Sequence, residues 1–193
     1  MNILLTGGTG YIGSHTAVAL AEAGHHVVLF DNFCNSQPDV AQRLHTLTGQ
    51  ALPLVEGDVR NTALLTHTLQ AHRIGAVIHF AGLKAVGESV AQPLAYYANN
   101  VQGSISLLQA LQAANVKTLV FSSSATVYGE PQHLPLDEAH PTDATNPYGR
   151  SKLHIEEILK DCCATDPALR VLCLRYFNPV GAHASGLIGD NPR

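Results

Sequence analysis

Tyr148-Gly149-Arg150-Ser151-Lys152 places a phenol and an ammonium four residues apart. Asn146-Pro147 stands just before them, where a helix should start. Residues at i and i+4 share one helical face. An ammonium held beside a phenol favours the phenolate, because positive charge stabilises the ionised form. A tyrosine otherwise ionises near pH ~10, too high for a base at neutral pH. Lys152 is therefore what would let Tyr148 serve as a general base. Taken alone, the same spacing also describes a solvated helix face, so the elements around it have to decide.

The N-terminus supplies a second constellation. Asn2-Ile3-Leu4-Leu5-Thr6 reads as a short buried strand, and Gly7-Gly8-Thr9-Gly10-Tyr11-Ile12-Gly13 follows at once. The apolar run from Ile12 to Ala23 predicts a helix that stops at Gly24. Strand, glycine turn and helix in this order form the context of a dinucleotide fingerprint. The glycines fall at Gly7, Gly10 and Gly13, a G-x-x-G-x-x-G spacing. Glycine lets a backbone approach a pyrophosphate, and the helix start offers unbonded N–H groups and a positive dipole end. The plainer alternative is an ordinary turn. A second strand, His26 to Phe30, ends in Asp31, where a carboxylate accepts from a ribose and repels a 2′-phosphate. That favours NAD over NADP.

The bulk of the chain fits this reading. Its 193 residues suffice for one sizeable core and little more. With 46% hydrophobic and 13% charged residues, disorder is excluded. A net charge of −4 without a basic run argues against nucleic acid as a partner. Eleven histidines show no ligand spacing, so no metal site is expected. The four cysteines show no C-x-x-C pair, and reduced thiols in a cytoplasmic protein are the expectation. The opening apolar run is too short for a membrane span and lacks a signal-peptide layout.

Strand-like and helical runs alternate along the chain. Helices are predicted at Val40 to Leu47, Ala63 to Ala71, Ala95 to Ala114 and Pro147 to Cys163. In the third of these, Val101, Ile105, Leu108 and Leu111 form the apolar face, with Asn115 as a cap. Further strands are predicted at Ala51 to Val55, Ala76 to Phe80, Thr118 to Ser122 and Arg170 to Arg175. Such alternation implies an α/β fold, a doubly wound parallel sheet covered on both faces, with its ligand across the carboxyl ends of the strands. Gly129 to Asn146, with Pro131, Pro135 and Pro141, reads as an active-site loop.

Several stretches carry a resemblance to the extended short-chain dehydrogenases/reductases, and within them to the branch that epimerises nucleotide-linked hexoses. They are Thr6 to His15, Asp31 to Ser36, Glu56 to Asn61, Phe80 to Ser89, Tyr97 to Val101, Ser122 to Gly129, and Arg175-Tyr176-Phe177-Asn178-Pro179-Val180-Gly181-Ala182-His183. The resemblance implies a Rossmann-like NAD domain over residues 1–193, with the smaller substrate domain cut off after about residue 178. It implies cofactor contacts from Gly7, Gly10, Tyr11, Ile12, Gly13, Asp31, Asn32, Phe33, Cys34, Asn35 and Ser36. It adds Asp58, accepting from the adenine amino group, and Val59. Phe80, Ala81, Gly82 and Leu83 would line the nicotinamide side, with Lys84 near phosphate or ribose oxygens. Asn99, Ser122, Tyr148, Lys152 and Phe177 complete the cofactor set. Ser124, Tyr148 and Asn178 would bind substrate, Asn178 through the diphosphate. Without the resemblance, Asp58 reads as a helix cap, Lys84 as a surface lysine, and the serines and Asn178 as turn residues.

The activity implied is the interconversion of UDP-galactose and UDP-glucose, part of galactose metabolism, by transient oxidation at C4 of the hexose. Tyr148 as phenolate would take the hydroxyl proton, Ser124 would position that hydroxyl and relay the proton, and NAD would accept and return the hydride. Dehydratases on the same scaffold carry an acid/base carboxylate pair at positions that here are Ala125 and Thr126, which counts against dehydration. A decarboxylase or a ketone reductase explains the epimerase-like stretches less well. A catalytically incompetent NAD-binding fragment is the non-enzymatic alternative. The resemblance also implies a homodimer through the Ala95 and Pro147 helices.

Overall fold

The computed structural model of the chain describes residues 1–190. Six strands form one parallel sheet: β1 (Asn2–Thr6), β2 (His26–Asp31), β3 (Leu54–Glu56), β4 (Ala76–His79), β5 (Thr118–Ser124) and β6 (Arg170–Tyr176). Their spatial order is β3-β2-β1-β4-β5-β6, so the chain winds outward from β1 first one way and then the other. This is the doubly wound, Rossmann-like arrangement expected from the alternation of apolar runs.

The central strands carry runs of consecutive apolar residues because both their faces are covered. Leu4, Val28, Phe30, Val77 and Phe121 point to one side. They pack under α3 (Thr62–Ala71), α6 (Gln102–Ala113) and α7 (Pro147–Thr165) through Leu65, Leu69, Leu107, Leu111, Ile155 and Leu159. Ile3, Leu5, Val27 and Leu29 point to the other, against α1 (Tyr11–Glu22) and α2 (Val40–Thr48) through Ala17, Val18 and Leu44. The period-two alternation of these side chains fixes the register. Leu4 pairs with Val28 on one neighbour and Val77 on the other.

Three expectations are corrected. The strand expected at Ala51 to Val55 begins only at Leu54, because Pro53 has no N–H for a ladder; its carbonyl still accepts from Leu29 N at 2.8 Å. The helix expected over Ala95 to Ala114 is broken. Pro93 starts a short α5 (Pro93–Tyr96), a π turn follows at Tyr97–Val101, and α6 continues from there. The wider π turn rotates the later face, so Leu107, Ala110 and Leu111 are buried while Ile105 stays 38% exposed. Asn115 does follow the helix, at φ 55°. The third correction is a pair of elements absent from the sequence reading: α4 (Val86–Ala91) and a 3₁₀ turn at Ala125–Tyr128. No helix among the described residues is long and apolar enough to cross a membrane. Among them no group of three or more metal-ligating side chains gathers either.

Candidate active site

One groove of about 780 Å³ runs across the carboxyl ends of the strands. At its β1–α1 end lies the glycine turn. Gly7 has φ +68°, and a Cβ there would stand 2.7 Å from Ala81 N; a Cβ on Gly13 would collide with the Gly7 carbonyl oxygen. Both positions therefore need glycine for α1 to sit this close to β1 and β4. Gly10 caps α1 without a side-chain hydrogen bond, and no acidic residue occupies the first turn. The opening N–H groups of Tyr11, Ile12 and Gly13, which line the groove, are thus left to an anion.

At the end of β2, Asp31 is 8% exposed. Its carboxylate accepts from Thr9 N (3.1 Å), Phe33 N (2.9 Å) and Ser36 Oγ (3.2 Å). This fixes the carboxylate at the groove wall with a lone pair on Oδ2 beyond these three bonds. Asn32, Cys34, Asn35 and Ser36 line the same wall. A glycine cradle, a bare helix start and a fixed carboxylate in this order fit the pyrophosphate and ribose of a dinucleotide.

Of the cofactor residues expected from the sequence, the groove gathers all but two. Val59, Phe80, Ala81, Gly82, Leu83, Lys84 and Asn99 line its middle. Phe33 and Asp58 stand outside the lining. The Asp58 carboxylate is held by Arg60 Nε at 2.8 Å and Nη2 at 2.6 Å. That hydrogen bonding lowers its pKa to about 2. Lys84, exposed, pairs with Asp190 at 3.2 Å.

At the other end β5 and α7 bring the chemistry together. Asn146 accepts Gly149 N at 2.9 Å and Pro147 opens α7, so Tyr148 sits in its first turn. Ser122, Ser124, Tyr148 and Lys152 all line the groove. The serines belong to β5 itself rather than to a turn. Ser124 Oγ accepts from Thr126 N at 3.2 Å and Thr126 Oγ1 at 2.9 Å, capping the 3₁₀ turn. Lys152 is buried, and its ammonium donates to the Ser122 carbonyl at 2.8 Å. It lies 4.9 Å from the Phe121 ring centre and 5.9 Å from that of Tyr148. Burial lowers its pKa to about 8. Phe177 and Asn178 border this end and are exposed.

One expectation changes sign. The Tyr148 phenol is pushed up, not down: burial raises its pKa, and the hydrogen bond with Ser124 offsets only part of that. The Lys152 ammonium donates to the Ser122 carbonyl and lies 5.9 Å from the Tyr148 ring centre, and burial of the phenol sets the direction.

The sequence reading missed Asn100. Its Oδ1 accepts Leu83 N at 2.8 Å, and its Nδ2 donates to Leu83 O at 3.0 Å and to Ser151 Oγ at 3.1 Å. Ser151 in turn donates to the Tyr148 carbonyl at 2.7 Å. Asn100 thereby ties the loop after β4 to the first turn of α7. An asparagine pair inside an apolar helical run was the available signal, since asparagine is a poor helix-interior residue.

The sequence matches the NAD dependent epimerase/dehydratase family over residues 3–190. It is 57% identical over 194 residues to a UDP-glucose 4-epimerase of Yersinia pestis, which covers the whole chain and 57% of that protein. The mouse (Mus musculus) UDP-glucose 4-epimerase is 56% identical over 198 residues, covering 99% of the chain and 57% of its own length. Among solved structures, UDP-glucose-4-epimerase from Stenotrophomonas maltophila, with bound NAD and formylated UDP-arabinopyranose, superposes with a TM-score of 0.98 at 52% identity. That match covers all of the chain and 57% of the neighbour. The Bifidobacterium longum enzyme in complex with NAD+ and UDP gives a TM-score of 0.98 at 49% identity, covering 100% and 58%. The chain thus spans somewhat over half the length of these relatives, and it belongs to the NAD dependent epimerase/dehydratase family.

Proposed function

We propose that this chain is the cofactor-binding and catalytic part of an NAD-dependent 4-epimerase of UDP-hexoses, interconverting UDP-galactose and UDP-glucose. The observation that carries the reading is the convergence of Ser124, Tyr148 and Lys152 at one end of a groove whose other end is the glycine cradle and Asp31. UDP-galactose and UDP-glucose differ only in configuration at C4. Inversion there requires a C–H bond to be broken and remade on the other face. NAD bound in the groove would supply a two-electron acceptor and a positively charged ring.

The chain's own residues do the rest. Gly7, Gly10 and the start of α1 hold the pyrophosphate, and Asp31 holds the adenosine ribose. The cofactor set carried over from the sequence, including Asn99, Ser122 and Phe177, surrounds the remainder. Ser124 orients the C4 hydroxyl toward Tyr148, and Asn178 binds the substrate diphosphate. Tyr148 takes the hydroxyl proton at its phenolic oxygen and gives it back after inversion. Lys152 and a positive ring close by both favour the phenolate and so oppose the upward push of burial. At the sheet end Ala125 and Thr126 offer no carboxyl for elimination, which favours epimerisation over dehydration. On this reading the chain serves galactose metabolism in the cytoplasm. The exposed Val90, Leu94 and Ile105 on α4, α5 and α6 support a homodimer through this side.

A second reading is NAD binding without turnover. It is favoured by the exposure of Phe177, Asn178 and Val180, which leaves the sugar end of the groove open. Calorimetric titration with NAD, followed by NMR of the chain with UDP-galactose, separates the two. Tight NAD binding with UDP-glucose formed supports the epimerase. Tight binding with UDP-galactose unchanged supports the second reading, and a 4-keto-6-deoxy product would reject both.

A further inference from the structure

The face of α7 that carries Tyr148 and Lys152 continues one turn further to Glu156, again four residues on. A glutamate at that spacing is well placed to pair with the lysine before it. In the structure it does not. Arg175 of β6 takes the carboxylate instead, with Nε 3.1 Å from Oε1 and Nη2 2.7 Å from Oε2, and Ser123 Oγ of β5 donates to Oε1 at 2.5 Å. The guanidinium also lies over the Tyr128 ring, 4.8 Å from its centre. The two side chains are 23% and 10% exposed, the most enclosed pair among the ion pairs of the described residues. Lys152 meanwhile donates to the Ser122 carbonyl.

Resting on the catalytic reading above, we infer that Arg175 is a positioning residue for the catalytic pair. By holding the Glu156 carboxylate against β6 it keeps that charge off Lys152, and so leaves the ammonium at Ser122 beside Tyr148. The other groups facing this cluster do not replace it. His79 of β4 stays neutral, its pKa lowered to about 3 by burial and then by Lys152. Cys173 of β6 faces Glu156, its thiol pushed up to about 11, mainly by burial. Cys163 of α7 lies close enough to interact with Cys173, and its thiol is raised by burial, then by Cys162 and Asp166. Tyr148 faces Ser124 and the ring of Tyr96, whose hydroxyl donates to Glu88 at 2.8 Å.

The Lys152 ammonium is the direct readout. The chain has four lysines, Lys84, Lys117, Lys152 and Lys160, so ¹³C labelling at Cε resolves its titration by NMR. Arg175→Gln leaves an uncompensated carboxylate near Lys152 and should raise its titration point by about one pH unit. Glu156→Gln leaves an uncompensated guanidinium and should lower it by a similar amount. The double variant should return close to the parent. Arg175→Lys keeps the charge and should leave the titration unchanged while lowering Tm, which also covers the case of an unfolded Arg175→Gln. A merely structural staple would lower Tm in every variant with the lysine titration unmoved, and that result overturns the inference. So would shifts of the same sign in both single variants. If the opposite shifts appear but the parent shows no turnover of UDP-galactose, the inference stands and the catalytic reading alone fails.

Discussion

At the β1–α1 end of the groove, Thr6, Leu29 and Phe30 are wholly buried, and Asp31 is fixed by three donors. At the β6 end, Leu172, Phe177 and Val180 are 56%, 61% and 90% exposed. The first end is closed by backbone contacts that tolerate no added methyl. The second gathers Ser124, Tyr148 and Lys152, but one wall faces outward. Residues after Phe177 run back toward the first end: Tyr11 Oη donates to Gly181 O, Arg43 donates to Leu187 O, and Ile188 is buried beside Leu44. On the proposed reading, the residues assigned to the dinucleotide lie at the closed end, whereas those assigned to the sugar lie at the open one.

The largest expected effect separates the two ends. Tyr148→Phe removes the proton acceptor without touching the cradle. Turnover of UDP-galactose should fall by about 10²–10⁴-fold, while NAD affinity by calorimetry stays within a few-fold of the parent. Gly13→Ala should do the reverse. The added methyl meets the Gly7 carbonyl and forces α1 off the turn, so NAD affinity should drop by roughly 100-fold, on the order of 3 kcal/mol. Fluorescence titration measures it, and an unchanged affinity would break the distinction between the ends.

A smaller effect concerns Lys152. Its folded pKa of about 8 lies below the 10.5 of a free lysine. Below pH 8 the lysine is charged whether the chain is folded or not. Between pH 8 and 10.5 only the unfolded chain holds the proton, so stability rises with pH across that window. The rise amounts to roughly 3 kcal/mol. Urea unfolding from pH 7.5 to 9.5 should show part of this rise in the parent, and the difference curve against Lys152→Met isolates it. A flat difference would place the ammonium in contact with solvent. The smallest effect is at Asp31. Asp31→Asn keeps the size but removes the charge that repels a 2′-phosphate, and should narrow the preference for NAD over NADP by about tenfold, or 1.4 kcal/mol.

Much of this was legible in the sequence. Uninterrupted apolar runs gave β1, β2 and β4 because both sheet faces are covered, and the glycine spacing located the cradle. Asn146-Pro147 set the start of α7 and therefore the facing of Tyr148 and Lys152. What escaped the sequence depends on three-dimensional neighbours. The π turn at Tyr97–Val101 leaves no mark in hydrophobic periodicity beyond its asparagines. The direction of the Tyr148 pKa shift turns on how deeply the phenol is buried, and spacing along a helix does not give that. Arg175 and Glu156 lie 19 residues apart and meet only because β6 pairs with β5 beneath α7.

The account's central claim is a reversible oxidation at the sugar's C4 carbon, run by Tyr148 beside a bound nicotinamide. It is tested most directly with UDP-galactose deuterated at C4, incubated with the NAD-loaded protein and followed by NMR. The account predicts UDP-glucose that keeps its deuterium at C4. Loss of the label to water, or no conversion despite saturating NAD, would contradict it.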